Sequence, residues 1–421
     1  MEIIASYGPI FIILAILFGF YMTWGIGAND VANAVGPCVG SNVLSVRNAI
    51  ILAAIFEFLG ATLAGNSVTA TISKGLLNPN TNFEPDILIF GMLAALLSSA
   101  LWLMFASSRG WPVSTTHSVV GAIVGFAITT MGIDAVDWSS MVEVITSWVI
   151  SPIIGATLAF LLMISIRVLI LNTDQPFLMA RRWGPAYVFL VGFMVVLITL
   201  FKGLRHLDFQ LTIIESLVAA LVLGTIAALI SSRLINKSIP NMQPQGTTMQ
   251  LSGVEQVFAP LMILTAAAMA FAHGSNDVAN GVGPLTTIVA IIDGGGQFNP
   301  QAKIPLWILV MGGTGIVVGL STLGYRVMKT VGKSITELTP TRGFCATMGA
   351  ASTIVLASKT GLPVSTTHIA VGAVVGVGMA RGISAIDMRV LQGIFISWVV
   401  TVPVSGLLAS ILFYLLYALF T

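Results

Sequence analysis

Gly27-Ala28-Asn29-Asp30-Val31-Ala32-Asn33 closes a long apolar run near the start of the chain, and its reading decides the fold. The stretch returns as Gly274-Ser275-Asn276-Asp277-Val278-Ala279-Asn280, with Asp277 placed 247 positions after Asp30. An ionised Asp at the centre of a membrane helix costs roughly 2.5–3.5 kcal/mol on insertion scales. Meeting that cost twice, at matched places, points to one site assembled from two halves of a duplicated unit.

The rest of the chain supplies the bilayer context. Of its 421 residues 56% are apolar and only 8% charged, and the mean hydropathy is +0.98. A soluble domain carries about 25% charge, so the chain reads as an all-α polytopic membrane protein. A span needs about 20 mostly apolar residues, which predicts twelve segments near 4–25, 46–65, 86–106, 117–132, 142–170, 186–202, 212–231, 255–273, 304–326, 342–357, 368–381 and 390–420. Two of them, 117–132 and 368–381, are short for a crossing and suit discontinuous or re-entrant helices at the midplane. The first apolar segment runs straight into the motif, so it is read as retained rather than cleaved. Cys38 and Cys345 make neither a metal spacing nor a disulfide framework. The net charge of +2 gives no footprint for a nucleic acid.

Lys and Arg are unevenly divided between the connections: thirteen follow odd-numbered segments, and five (Lys74, Lys202, Arg205, Lys303 and Lys359) follow even-numbered ones. Positive residues concentrate on the cytoplasmic side. Both termini are therefore expected outside a cell membrane. A re-entrant hairpin made of segments three and four would remove Arg109 from the count without changing the parity of later loops.

Two further landmarks repeat in order. Pro112-Val113-Ser114-Thr115-Thr116-His117 is echoed by Pro363-Val364-Ser365-Thr366-Thr367-His368, and Ser147-Trp148-Val149 by Ser397-Trp398-Val399. Residues 1–171 form the first copy, 172–253 two linking spans and a polar connection, and 254–421 the second copy. The second copy starts seven segments after the first. Seven is odd, so the copies are expected in opposite senses, a common secondary-transporter design with the substrate near the midplane between repeats.

Pro followed by Ser and Thr suits a helix start, where hydroxyls cap free N–H groups. Such a start has open donors and a positive dipole end, which together favour an anion. Two facing starts carrying Ser114, Thr115, Thr116, Ser365, Thr366 and Thr367 would wrap a small oxyanion without Lys or Arg. The plain alternative is ordinary capping at a water-facing turn.

Asn29, Asp30, Asn33, Asn276, Asp277 and Asn280 are hard oxygen ligands suited to Na⁺, while a carboxylate alone suits H⁺. Gly25, Gly27, Gly36 and Pro37, with Gly274, Gly281, Gly283 and Pro284, are expected to loosen the helices so that backbone carbonyls join the cation site. Asp30 and Asp277 are alternatively acceptors for a protonated oxyanion, members of a proton relay, or structural caps. Glu57 is an unmatched mid-span carboxylate with no acid near 308–313. It is either a coupling group or part of a water-filled crevice. His117 and His368 either donate to the anion or cap a neighbouring helix. His273 has no counterpart, because Ile26 stands at the matching position. Trp148 and Trp398 read as packing anchors, and Gly121, Gly125, Gly372 and Gly376 as helix contacts.

The paired Asn-Asp and Pro-Val-Ser-Thr-Thr-His motifs resemble the inorganic phosphate transporter (PiT) family of sodium- or proton-coupled carriers, over nearly the whole chain. That resemblance implies phosphate held between inverted repeats, Na⁺ or H⁺ as driver, a homodimer, and roles in transport for both Asn-Asp motifs, the Ser-Thr-Thr hydroxyls and Glu57. No cofactor beyond the coupling ion is implied. Phosphate near neutral pH keeps a proton that a buried Asp can accept, whereas sulfate does not, and an unpaired buried acceptor costs about 1–3 kcal/mol. Three other readings compete. An H⁺-coupled carrier of phosphate or metal–phosphate, or a sulfate permease, would share the fold. A channel would need no coupling acids. An intramembrane enzyme lacks a His-Glu-x-x-His motif here, and only four His occur.

Overall fold

A computed structural model describes residues 2–65, 75–78, 81, 83–200, 211–238, 246–296, 304–358 and 364–421. Lys74, Lys202, Arg205, Lys303, Lys359 and Pro363 lie outside the described residues, as do parts of the 232–252 and 293–300 connections. Thirteen α-helices form among the described residues. The first five are α1 (Glu2–Gly40), α2 (Val46–Ala64), α3 (Pro85–Ser108), α4 (Thr115–Met131) and α5 (Trp138–Ile166). Next come α6 (Pro176–Ile198) and α7 (Ile213–Ser238). The last six are α8 (Thr247–Asp293), α9 (Leu306–Thr322), α10 (Gly324–Lys329), α11 (Pro340–Ser358), α12 (Thr366–Arg381) and α13 (Met388–Phe420).

Among the described residues eight helices are long and apolar enough to cross a membrane, or nine if α9 and α10, bent by 63° at their junction, count as one span. Two helical hairpins account for four of the twelve expected segments, and they include the hairpin of segments three and four weighed above. Backbone bonds join the base of the α3–α4 pair: Asp137 N donates to the Leu76 carbonyl (3.0 Å) and Asn78 N to that of Ala135 (2.9 Å). The α11–α12 pair is tied in the same way, with Asp387 N donating to the Ile335 carbonyl at 2.9 Å and the Thr336 hydroxyl to that of Ala385 at 2.8 Å. Each pair therefore begins and ends at one end of the molecule. At the tips the Thr116 hydroxyl donates to the Val364 carbonyl (3.3 Å), and Thr367 Oγ1 lies 3.2 Å from the Val113 carbonyl oxygen. The two hairpins meet tip to tip.

Packing follows an exchange rule. Helix α1 lies on α9 as α8 lies on α2, α4 on α13 as α12 on α5, and α3 on α13 as α11 on α5. Helices α6 and α7 pair with each other and stand outside this pattern. In the most apolar stretch of α8, 72% of residues are buried, against 17% in α7, so α8 is a central helix and α7 a peripheral one.

The expected loosening of the motif helices does not occur. Both α1, with Pro37, and α8, with Pro284, run unbroken through their Asn-Asp stretches, although each proline, having no N–H, leaves the carbonyl four residues earlier, that of Asn33 or Asn280, without its helical donor. The glycines serve close approach instead. A Cβ on Gly27 would strike the backbone of Ile316 in α9, and one on Gly274 the backbone of Glu57 in α2. Without side chains there, the helices touch main chain to main chain.

Candidate functional site

The two short helices start where their sequence predicts. Ser114 caps α4 by accepting from His117 N (3.1 Å), and Ser365 caps α12 by accepting from His368 N (3.2 Å). The next threonines then point at the motif helices. Thr367 donates to Asp30 Oδ1 at 2.9 Å and Thr366 donates to Asp277 Oδ2. Asn33 reaches from α1 to Thr367 Oγ1 (3.0 Å) and to Asp30 Oδ1 (3.2 Å). From α8, Asn280 donates to the hydroxyl oxygens of both Thr115 and Thr116 at 3.2 Å. Asn276 donates to Asp277 Oδ1 (2.6 Å) and to the Val364 carbonyl (3.4 Å). One bonded cluster thus joins α1, α4, α8 and α12. It is lopsided, because both carboxylates take hydroxyls from α12 while the α4 threonines are held by an amide.

His273 sits at the centre of the acids. Its Nε2 lies 2.9 Å from Asp277 Oδ2 and 3.8 Å from Asp30 Oδ2, and its Nδ1 lies 3.4 Å from Glu57 Oε1. All four side chains are fully buried. Three carboxylates therefore surround one imidazole, which can neutralise at most one of them. Buried oxygens that accept no hydrogen bond include Asp30 Oδ2, Asn33 Oδ1, Asn276 Oδ1 and both oxygens of Glu57. Ligand atoms of Asp30, His273 and Asp277 lie within 4.8 Å of one another. Excess negative charge and orphaned hard acceptors at one place fit a small cation.

Three sequence-predicted residues stand elsewhere. Asn29, expected among the cation ligands, spends its amide on the turn before α4. Its Nδ2 donates to Ser107 Oγ (3.0 Å) and the Trp111 carbonyl (2.9 Å), and its Oδ1 accepts from Val113 N (3.1 Å). His117 and His368, expected to donate to the anion or to cap a neighbouring helix, lie against Trp148 and Trp398 at ring distances of 3.7 and 3.6 Å, and stand 4.3 Å from each other. Both line an apolar cavity of about 580 Å³ between α5 and α13. The tryptophans are thus packing partners of the histidines. Sequence reasoning gave His273 no role. The available signal was that His273 and Glu57 are both ionisable residues in apolar stretches with no counterpart in the other copy.

The sequence matches the phosphate transporter family over residues 26–409. A putative phosphate permease of Haemophilus influenzae is 45% identical over the full length of both chains. One from Pyrococcus horikoshii is 43% identical over 96% of this chain and 97% of its own. The chloroplastic inorganic phosphate transporter 2-1 of Arabidopsis thaliana is 43% identical over 94% of this chain and 70% of its own. Among solved structures, a sodium-dependent phosphate transporter superposes with a TM-score of 0.88 at 35% identity, covering 97% of this chain and 99% of that one. With the match spanning both Asn-Asp motifs and both hydroxyl-bearing hairpins, this multi-pass membrane protein belongs to the phosphate transporter family, a class of carriers and not of enzymes.

Proposed function

We propose that the chain imports inorganic phosphate across the cell membrane by symport with Na⁺, through alternating access about the cluster between its two copies. In this reading Asp30 and Asp277, with Asn33, Asn276 and Asn280, gather the cation, and the starts of α4 and α12 clasp the anion. The halves 1–171 and 254–421 act as inverted repeats around the linking spans of 172–253. Both termini face outward, and the family resemblance makes the working unit a homodimer.

One observation carries the coupling. A hydroxyl has a single proton to donate, and the protons of Thr366 and Thr367 are directed at Asp277 and Asp30. Na⁺ bound to those carboxylates competes for their lone pairs and frees the hydroxyls. Phosphate then takes the hydroxyls together with the open N–H groups of both helix starts. Neither charge is stable in the buried site without the other, so the repeats rock only when both are bound or both absent. A protonated phosphate can also donate to a carboxylate, which sulfate cannot.

A second reading, H⁺ in place of Na⁺, draws on His273 lying among three carboxylates. Proteoliposomes separate the two. An inward Na⁺ gradient at equal pH is expected to accumulate labelled phosphate above equilibrium, and a pH gradient without Na⁺ to give none. Equal accumulation from the pH gradient alone would overturn the sodium reading and leave phosphate transport standing.

A further inference from the structure

We propose a binding site for an anionic phospholipid in the cavity of about 420 Å³ between the tip of the first hairpin and α13. The cavity joins two unlike surfaces. Arg109 and Arg389 both line it; Trp102, Trp111, Gly393 and Val400 contribute to the remaining wall. Both arginines are exposed. Among the described residues neither guanidinium is in an ion pair or a hydrogen bond; that of Arg109 rests 4.8 Å from the Phe105 ring centre. A third cation stands beside Arg109, where Arg326 Nη1 donates to the Ser108 carbonyl at 3.0 Å. No acid lines the cavity.

Two unpaired guanidinium forks offer what a phosphodiester requires, planar donors for its anionic oxygens. A soluble anion would need no more than that, whereas the wall beyond the arginines is apolar. From Arg389 to Val400 helix α13 rises about 16 Å, a length suited to an acyl chain. Gly393 leaves a notch in the helix face, since a Cβ there would meet nothing within 4 Å. On the orientation proposed above, Arg389 at the start of α13 faces the cytoplasmic leaflet, where anionic lipids concentrate.

The cavity wall includes Gly110 and Pro112, part of the turn that Asn29 clamps. A lipid seated there braces the start of α4 from its outer side. The site lies apart from the aspartates, so it adds a structural lipid to the transport cluster.

The test is native mass spectrometry of the full-length protein with defined ratios of phosphatidylglycerol and phosphatidylcholine. Wild type is expected to retain phosphatidylglycerol about tenfold or more in preference, from roughly 1 kcal/mol per arginine at a membrane surface. The double variant Arg109→Gln, Arg389→Gln should bind both lipids alike. Gly393→Leu puts a side chain into the open space beside that helix face, and should reduce retention of either lipid. Millimolar inorganic phosphate should leave the preference in place. Equal binding of both lipids by wild type would overturn the proposal. So would displacement of the lipid by inorganic phosphate with Gly393→Leu silent, which would assign the arginines to a soluble anion. Neither result bears on Na⁺-driven uptake, so this proposal fails or stands separately from the transport reading.

Discussion

His273 is the residue on which the charge balance of the cluster turns. Removing one partner from a buried ionic group costs about 3–5 kcal/mol, because the remaining charges lose compensation. Replacing it with the residue of the other copy, His273→Ile, leaves Asp30, Asp277 and Glu57 without a counter-charge. The variant is expected to lose about that much stability in Na⁺-free buffer, read as a lower melting temperature in detergent. Sodium should restore more of the melting temperature in the variant than it adds to wild type. Equal sodium shifts in both proteins would show that His273 and the cation do not share a site. Asn29 teaches the opposite lesson, since a residue type suited to a cation is here wholly engaged in holding a turn.

At the scale of elements, the site depends on how closely α2 and α8 approach. In a Gly274→Ala protein the added Cβ would lie 2.7 Å from Glu57 Cα and 2.8 Å from its carbonyl carbon. Overpacking of this kind costs about 1–3 kcal/mol, and it can be relieved only by moving Glu57 away from His273. The expected outcome is a lowered melting temperature together with a fall in uptake. Uptake at the wild-type rate would mean that the contact between α2 and α8 does not position the acids. The short helices α4 and α12 obey the same logic. A Cβ on Gly121 would come within 2.9 Å of Val402 Cα, and one on Gly372 within 3.0 Å of Pro152 Cα. These glycines hold the hairpins against α13 and α5, as their spacing predicts.

For the whole molecule, the exchange of packing partners between copies is what an internal two-fold produces. If that axis lies in the membrane plane, equivalent connections face opposite sides. Asp134 and Ser384 occupy equivalent exposed turns, after α4 and after α12 respectively. The two native cysteines, Cys38 and Cys345, are buried, so an impermeant thiol reagent meets little background. On intact cells Asp134→Cys should be labelled at once, and Ser384→Cys only after permeabilisation. Labelling of both from one side would remove the inverted arrangement and the mechanism built on it.

The sequence by itself determined the membrane class, the duplication, the two capped helix starts and the identity of the paired Asn-Asp motifs. Each of these rests on composition or on local order along the chain: an apolar run, a repeated string, a Ser followed by open N–H groups. Only the tertiary structure decided that the motif helices stay wound, that the two hairpins meet tip to tip, and that Glu57 meets His273. Those outcomes depend on how near two backbones can come. A missing Cβ reads the same in sequence whether it loosens a helix or lets another helix lie against it.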